Sequence, residues 1–461
     1  MFAARSSRRP LPAGRPFEVL AAAAHLLGPG LPHRGVGGPA ALALVRRVLD
    51  EYGADLTSPF SAAHLQPPPL AVAVEADALA SASNASLDTY DSGPATIAVE
   101  RWVLGALVEL AGFGAGDGVF TPGGTLSNLT ALLLARDAAA ARHGLDAREE
   151  GVAGLPDPVV FCSELAHFSV LRACAALGLG ERAVRPVPVD ARRRMRVDAL
   201  EASLRLGGTP VAVVATAGTT DFGSVDPLPE LAELAHEYGT WLHVDAAYGF
   251  GALFSDRLRG LVDGIAAADS VTADLHKIGW QPAAAGVLLV RDPDVFRALD
   301  RSVAYLNPED DRAEGYDGTL GRTLQTTRRP DAVKVAATLL ALGRAGLGAL
   351  LDRCHDLAVR AARLIAADPS FDLVGEATLT TVVFRYRPAD ESRSDGVNAE
   401  LRRVLLRRGS ALVGRTRVDK ATCLKFTLLN PEAREADLAA LLALVREAGA
   451  AAERTLEEGA A

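Results

Sequence analysis

Four stretches of the 461-residue sequence carry side chains whose types and spacing suit chemistry. The first, TPGGTLSNLTALLLARD (121–137), sets Gly123 and Gly124 before Thr125, Ser127 and Asn128, then runs into an amphipathic helical pattern. Backbone N–H groups at a helix start, with hydroxyls beside them, make an anion site suited to a phosphate. No GK[ST] closes the loop, so it is not a nucleotide P-loop. The second, SELAHFSVLRACAALGLG (163–180), places His167 after an expected strand, at the start of an expected helix. The third, ATAGTTDFGSVDPLPELAELAHEYGTWLHVDAAYGFG (215–251), ends one strand in Thr219 and Thr220 and a second in HVDAA. Asp245 closes that second, apolar strand. A carboxylate there is costly unless paired, so a cationic partner is expected. The fourth, DSVTADLHKIGWQP (269–282), brings Lys277 directly after His276 at the end of another apolar strand. A buried lysine is costly unless its pKa falls or it binds covalently.

Each stretch has an ordinary reading when taken alone: a capped helix, a packing histidine, a Lys–Asp ion pair. Together they fit one ligand, with a phosphate, a flat ring, a protonatable ring nitrogen and an aldehyde. Pyridoxal 5′-phosphate has all four. On this reading Lys277 holds the cofactor covalently. Asp245 keeps the pyridine nitrogen protonated, His167 lies against the ring face, and Thr125 with the amides around it holds the phosphate.

The elements needed to position these residues are visible as alternating patterns. The apolar runs VVFCS (159–163), VAVVATAG (211–218), WLHVDAA (241–247), SVTAD (270–274) and GVLLVRD (286–292) alternate with helix-period segments such as 126–142 and 228–238. That alternation predicts an α/β domain with a mostly parallel central sheet and helices on both faces. Ligands of such sheets bind at the strand carboxyl ends. The polar stretch 305–323 has no periodicity and reads as a long loop, of the kind that often forms a lid. A helix is expected over 331–345. After it come a helix at 347–367, a strand at 380–386, a helix at 397–408, a strand at 424–429 and a closing helix at 434–455. The expected division is an N-terminal helical arm (1–75), a large domain (76–345) and a smaller C-terminal α+β domain (346–461).

Composition narrows the function classes. With 48 Lys+Arg against 57 Asp+Glu, the formal charge is −9, which argues against general nucleic-acid binding. No run approaches the roughly 18 uninterrupted apolar residues of a membrane span. Cys162, Cys174, Cys354 and Cys423 are widely spaced without a CxxC pair, so they read as small buried hydrophobes, and no metal site is expected. Arg5, Arg8, Arg9 and Arg15 precede an Ala/Leu-rich stretch, a pattern compatible with a twin-arginine export signal. Glu18 and His25 interrupt that stretch, so a mobile basic arm and a cytoplasmic protein are the expectation.

The HVDAAYG and D-x-HK stretches also resemble those of the group II pyridoxal-phosphate-dependent amino-acid decarboxylases, of fold type I, from about residue 55 onward. Within that family the chain looks most like the bacterial L-2,4-diaminobutyrate and lysine decarboxylases. That likeness runs through NASLDTYDSGPATIAVE (84–100), ATAGTTDFGSVDPLPE (215–230), YLNP (305–308), LQTTRRPDAVK (324–334) and LKFTLLNP (424–431). The resemblance implies that Gly124, Thr125 and His276 meet the phosphate and His167 stacks on the ring. It places Thr220 near the 3-oxygen, Asp245 and Ala247 at the pyridine, and Asp274 close by. It also implies a homodimer with active sites near the interface, Phe60 and His64 along the substrate pocket, and Tyr316 as a candidate proton donor to Cα, with Tyr305 a weaker one. The chain departs from its diaminobutyrate-type relatives at Tyr90-Asp91-Ser92-Gly93, at Ile278-Gly279-Trp280 and at HLQPP (64–68), all where substrate pockets are built. The expected reaction is decarboxylation of a basic L-amino acid: diaminobutyrate, lysine or ornithine. An aromatic or acidic substrate, another fold type I reaction such as transamination, or a catalytically inert subunit remain the alternatives.

Overall fold

A computed structural model describes residues 9–458. The chain divides into two compact units, Pro69–Asp352 and residues 9–68 together with the chain from Arg353 onward. Strand β1 (Ser61–Ala62) belongs to the second unit. The first unit holds β2 (Asp117–Thr121), β3 (Pro158–Ser163), β4 (Val184–Val187), β5 (Thr209–Thr216), β6 (Trp241–Asp245), β7 (Ser270–Asp274) and β8 (Gly286–Val290). They form one sheet in the order β2-β8-β7-β6-β5-β3-β4.

Parallel pairings run from β4 through β3, β5 and β6 to β7, while β8 is antiparallel to both of its neighbours, β7 and β2. The sheet is therefore mostly parallel with one reversed strand. All residues of β6, β7 and β8 are buried, which requires helices on both faces. Small residues of the helix Gly124–Arg142 (Ala131, Ala135, Ala139) let it lie close over Val160, Ala212, Val214 and Leu288 in one apolar core. Cys162 and Cys174 sit in that core, and all four cysteines are buried.

This topology fixes where the chemistry-bearing residues emerge. Strands β3, β5, β6 and β7 share one direction, so their carboxyl ends lie on one edge of the sheet. Strand β2 shares that direction, because β8 opposes both β2 and β7. The segments leaving that edge carry Gly123–Thr125, His167, Thr220, Asp245–Ala247 and Asp274–Lys277.

The second unit has the sheet β1-β11-β12-β10-β9, with β9 (Phe371–Val374), β10 (Thr381–Tyr386), β11 (Leu412–Val418) and β12 (Ala421–Thr427). The helices Ser394–Arg408 and Glu435–Glu458 cover it, packing Leu401, Leu405, Leu441 and Val445 against Phe384, Leu424 and Phe426. The expected separate N-terminal arm (1–75) is corrected here. Ser61 and Ala62 pair with Leu412 and Val413, and Asn430 donates to the Thr57 carbonyl at 3.0 Å, so residues 9–68 fold as part of this unit. Sequence periodicity cannot reveal a two-residue strand that borrows its partner from 350 positions away. Arg5 and Arg8, on which the export-signal reading rests, lie outside the described residues.

Two further expectations change in detail. The stretch 305–323 contains a short helix, Glu309–Ala313, which starts after Pro308 with Glu309, Asp310 and Asp311 at its positive end. The two helices expected at 331–345 and 347–367 form one element, Ala332–Ala367, broken at Gly343 (φ 60°, ψ −178°), a backbone conformation that glycine tolerates. This is the helix, among the described residues, whose length and apolarity would suit a membrane. It breaks at Gly343 and buries Lys334 against Asp77 and Asp331 at 3.0 and 2.9 Å, as a core helix does.

The loop before that helix is tied down by a buried ion pair. Arg328 contacts both Glu100 oxygens (2.6 and 3.1 Å), Thr319 Oγ1 (2.6 Å) and the Phe120 carbonyl (3.3 Å). Both partners are nearly inaccessible, so removing one strands the other without water. Glu100→Ala should lower the unfolding free energy by about 3–5 kcal/mol in denaturant titrations. Glu51→Ala, which breaks an exposed pair with Arg47, should change it far less.

Candidate active site

The glycines after β2 allow a close approach. A Cβ on Gly124 would lie 3.0 Å from Asp274 Oδ2 and 3.1 Å from Ala247 Cβ, and one on Gly123 would lie 3.3 Å from His276 Cε1. The start of the helix Gly124–Arg142 thus meets the ends of β6 and β7, with Thr125 exposed beside it. Lys277 Nζ lies 2.9 Å from Asp274 Oδ2, and His276 Nε2 lies 3.7 Å from the same oxygen. The His276 Nδ1 accepts from the Ala285 N–H at 3.2 Å, which leaves Nε2–H toward Asp274 while the ring is neutral. Burial, more than any other influence, holds the His276 pKa below its usual value.

Asp245 is only 6% exposed, yet its carboxylate has no cation within hydrogen-bond reach among the described residues. Its Oδ2 accepts from Asn128 Nδ2 at 2.8 Å and its Oδ1 from the Ala247 N–H at 3.1 Å. Both of these donors are neutral. Ser127, one of the hydroxyls of the expected anion site, instead bonds Thr121 Oγ1 at 2.7 Å. His167 stands two residues before the helix Ser169–Ala176, and its Nδ1 lies 2.8 Å from Ser169 Oγ. Burial is the main influence lowering the His167 pKa; Asp245 and Asp274 oppose it, while Lys277 and Arg172 reinforce it. His167 is therefore within electrostatic range of the carboxylates and the lysine.

These groups fit pyridoxal 5′-phosphate. Asp274 Oδ1 is buried without a hydrogen-bond partner among the described residues, an unmet acceptor beside Lys277. The glycine turn leaves room that any side chain would fill, at a helix start suited to a phosphate. The buried Asp245 charge calls for a protonated ring nitrogen.

The structure thus brings together Gly124, Ala247, Asp274, His276 and Lys277, and links Asp245 to His167. Thr220 is exposed in the turn after β5, at the same sheet edge. Tyr316 is not joined to the cluster. It is 57% exposed and meets the Tyr90 ring edge-on at 5.5 Å, and Tyr305 is 84% exposed. Phe60 and His64 lie in the second unit, where Phe60 packs against the apolar core. Partial burial and the cations of Arg402 and Lys425 lower the His64 pKa.

Three residues near Asp245 escaped the sequence reading: Ser169, His243 and Thr272. Strand geometry holds a signal for two of them. His243 precedes Asp245 by two residues and so shares its strand face. Thr272 pairs with Asp245 across β6 and β7. His243 is fully buried, and burial pushes its pKa down to about 4 from 6.5, against the raising influence of Asp245. A histidine kept neutral in the fold but free to ionise once unfolded gives stability that is complete above pH 6.5 and is lost as pH falls toward about 4. Denaturation midpoints should fall over that window, and His243→Gln should flatten the fall. His167 and His276 contribute with the same sign, so a slope unchanged by His243→Gln would contradict this assignment.

Comparison with known proteins agrees with this geometry. Residues 58–387 match the pyridoxal-dependent decarboxylase conserved domain. The L-2,4-diaminobutyrate decarboxylase of Rhizobium meliloti (strain 1021) is 43% identical over 407 residues, covering 87% of this chain and 80% of that protein. The protein of the same name from Acinetobacter baumannii is 37% identical over 403 residues, covering 84% and 79%. Among solved structures, the glutamate decarboxylase domain of diaminobutyrate-pyruvate transaminase and L-2,4-diaminobutyrate decarboxylase from Vibrio parahaemolyticus superposes with a TM-score of 0.86. It is 31% identical and covers 96% of this chain and 91% of that one. The chain belongs to the pyridoxal-dependent decarboxylase family and is a pyridoxal 5′-phosphate-dependent carboxy-lyase of fold type I.

Proposed function

We propose that the protein decarboxylates a basic L-amino acid, with L-2,4-diaminobutyrate as the preferred substrate. The observation that carries this reading is the 43% identity to a diaminobutyrate decarboxylase over 87% of the chain. The arrangement around Lys277 supports the chemistry. When bound, the cofactor supplies the electron sink for the breaking Cα–carboxylate bond. Lys277, released from Asp274, holds it covalently. Asp245 would keep a proton on the pyridine nitrogen and so stabilise a positively charged ring. His167 would cover the ring face. Gly124, Thr125 and His276 hold the phosphate, and Thr220, Ala247 and Asp274 complete the cofactor's surroundings. Tyr316 would be the donor of the proton that Cα needs.

We further propose a cytoplasmic homodimer. The helices Pro16–Leu27 and Gly38–Tyr52 bury none of their residues within the chain, and Phe17, Leu20, Leu42 and Leu49 are 63%, 70%, 73% and 53% exposed. A second copy covering such apolar faces accounts for them. Four buried cysteines, with no disulfide among the described residues, are compatible with a reducing compartment.

CO2 release should be fastest from L-2,4-diaminobutyrate in a panel with lysine, ornithine, tyrosine, tryptophan, glutamate and cysteine sulfinate. Faster release from glutamate or an aromatic amino acid would overturn the substrate assignment. Accumulation of pyridoxamine phosphate without CO2 would overturn decarboxylation itself. Lys277→Ala should abolish turnover. Tyr316→Phe should lower kcat by about 10²-fold or more without weakening cofactor retention.

A further inference from the structure

Hydrogen-bond polarity around Asp245 can be followed atom by atom, because an ionised carboxylate only accepts. Asn128 must therefore turn its amide Nδ2 toward Asp245 Oδ2, at 2.8 Å. Its Oδ1 is then fixed on the other side, where Thr272 Oγ1 donates to it at 2.7 Å and His243 Nε2 stands 3.0 Å away. An oxygen there requires the His243 proton on Nε2. Neutral His243 then accepts at Nδ1 from Ser270 Oγ (2.8 Å), and Ser270 Oγ in turn accepts from the donor-only Trp241 Nε1 (2.8 Å). Every bond on this side is satisfied in one direction only.

The same logic runs outward. The second Nδ2 proton of Asn128 goes to Ser169 Oγ at 2.9 Å, so Ser169 accepts there and has one proton left to give. Its neighbour is His167 Nδ1 at 2.8 Å, which also accepts the Ser169 backbone N–H at 3.3 Å. Nδ1 of His167 is thus an acceptor twice over. With the ring neutral, its proton resides on Nε2, at the edge of the ring away from Ser169.

We propose that Asn128 is a positioning residue that fixes the polarity of the site: it holds Asp245 as an acceptor and, through Ser169, sets His167 in the Nε2–H form. The inference rests on the decarboxylase reading only for its catalytic meaning, since the network exists within the chain alone. Its consequence is that His167 offers the site an N–H donor at Nε2 instead of a basic nitrogen. An anionic group held near His167 gains a hydrogen bond that the other tautomer would deny it. Asn128, Ser169 and Thr272 need not touch cofactor or substrate for this.

The test uses the full-length chain without added cofactor, labelled with ¹⁵N-histidine, with the His167 signal identified through His167→Gln. The wild type should show a protonated Nε2 and an unprotonated Nδ1. Ser169→Ala should convert His167 to a mixture of tautomers, and Ser169→Thr, which keeps the hydroxyl, should restore the Nε2–H form. A protonated Nδ1 in the wild type, or a tautomer indifferent to Ser169→Ala, would overturn the proposal. Asn128→Leu tests the other arm: pyridoxal 5′-phosphate retention should weaken about tenfold, the loss expected for one hydrogen bond to a charged group. Unchanged retention would refute the hold on Asp245. A purely structural role would lower the melting temperature without moving the His167 tautomer. Failure of cofactor uptake or CO2 release in the wild type would sink the proposed function, and the tautomer measurement would still decide this inference separately.

Discussion

The site depends on a carboxylate, Asp245, held in the interior by neutral donors. Taking Asp245 out of water costs several kcal/mol, and the amide of Asn128 and the N–H of Ala247 offset only part of that cost. The remainder is a standing preference for positive charge at the end of β6. A protonated pyridine satisfies it, and a neutral ring does not. The same constraint dictates the surroundings. Asp245 can only accept, so Asn128 must donate, Thr272 and His243 face the Asn128 oxygen, and Ser169 Oγ donates a hydrogen bond to His167 Nδ1.

The sheet topology makes this arrangement possible. Neighbouring parallel strands deliver Asp245, Asp274 and Lys277 to a common edge, and β2 delivers the glycine turn and helix start to the same place. Lys277 rests on Asp274 at 2.9 Å, an ordinary ion pair in itself. The distinction from a merely structural pair lies in the unmet Asp274 Oδ1 and in the glycine approach beside it. A core pair built for stability alone, such as Arg328–Glu100, has both carboxylate oxygens engaged.

Much of this was legible in the residues. The apolar runs marked β3, β5, β6, β7 and β8 within a few positions, because strands buried on both faces carry little but apolar side chains. Asp245 and Lys277 stood out for the converse reason: ionisable groups at the ends of such strands need partners. Asn128 stood in the glycine stretch with no role assigned, because its partner Asp245 lies 117 positions further along the chain. β1 and the joining of residues 9–68 to the C-terminal sheet depend on pairing across more than 300 positions, which local periodicity does not encode. The short helix Glu309–Ala313 was hidden in a segment too polar and too brief to show a period.

The protonation state of the cofactor's ring nitrogen tests the role of Asp245 most directly. In holoenzyme loaded with pyridoxal 5′-phosphate labelled with ¹⁵N in the ring, the chemical shift should be that of a pyridinium at neutral pH and above. It should move to that of an unprotonated pyridine in Asp245→Ala. An unprotonated ring in the wild-type enzyme at pH 7 would contradict the account.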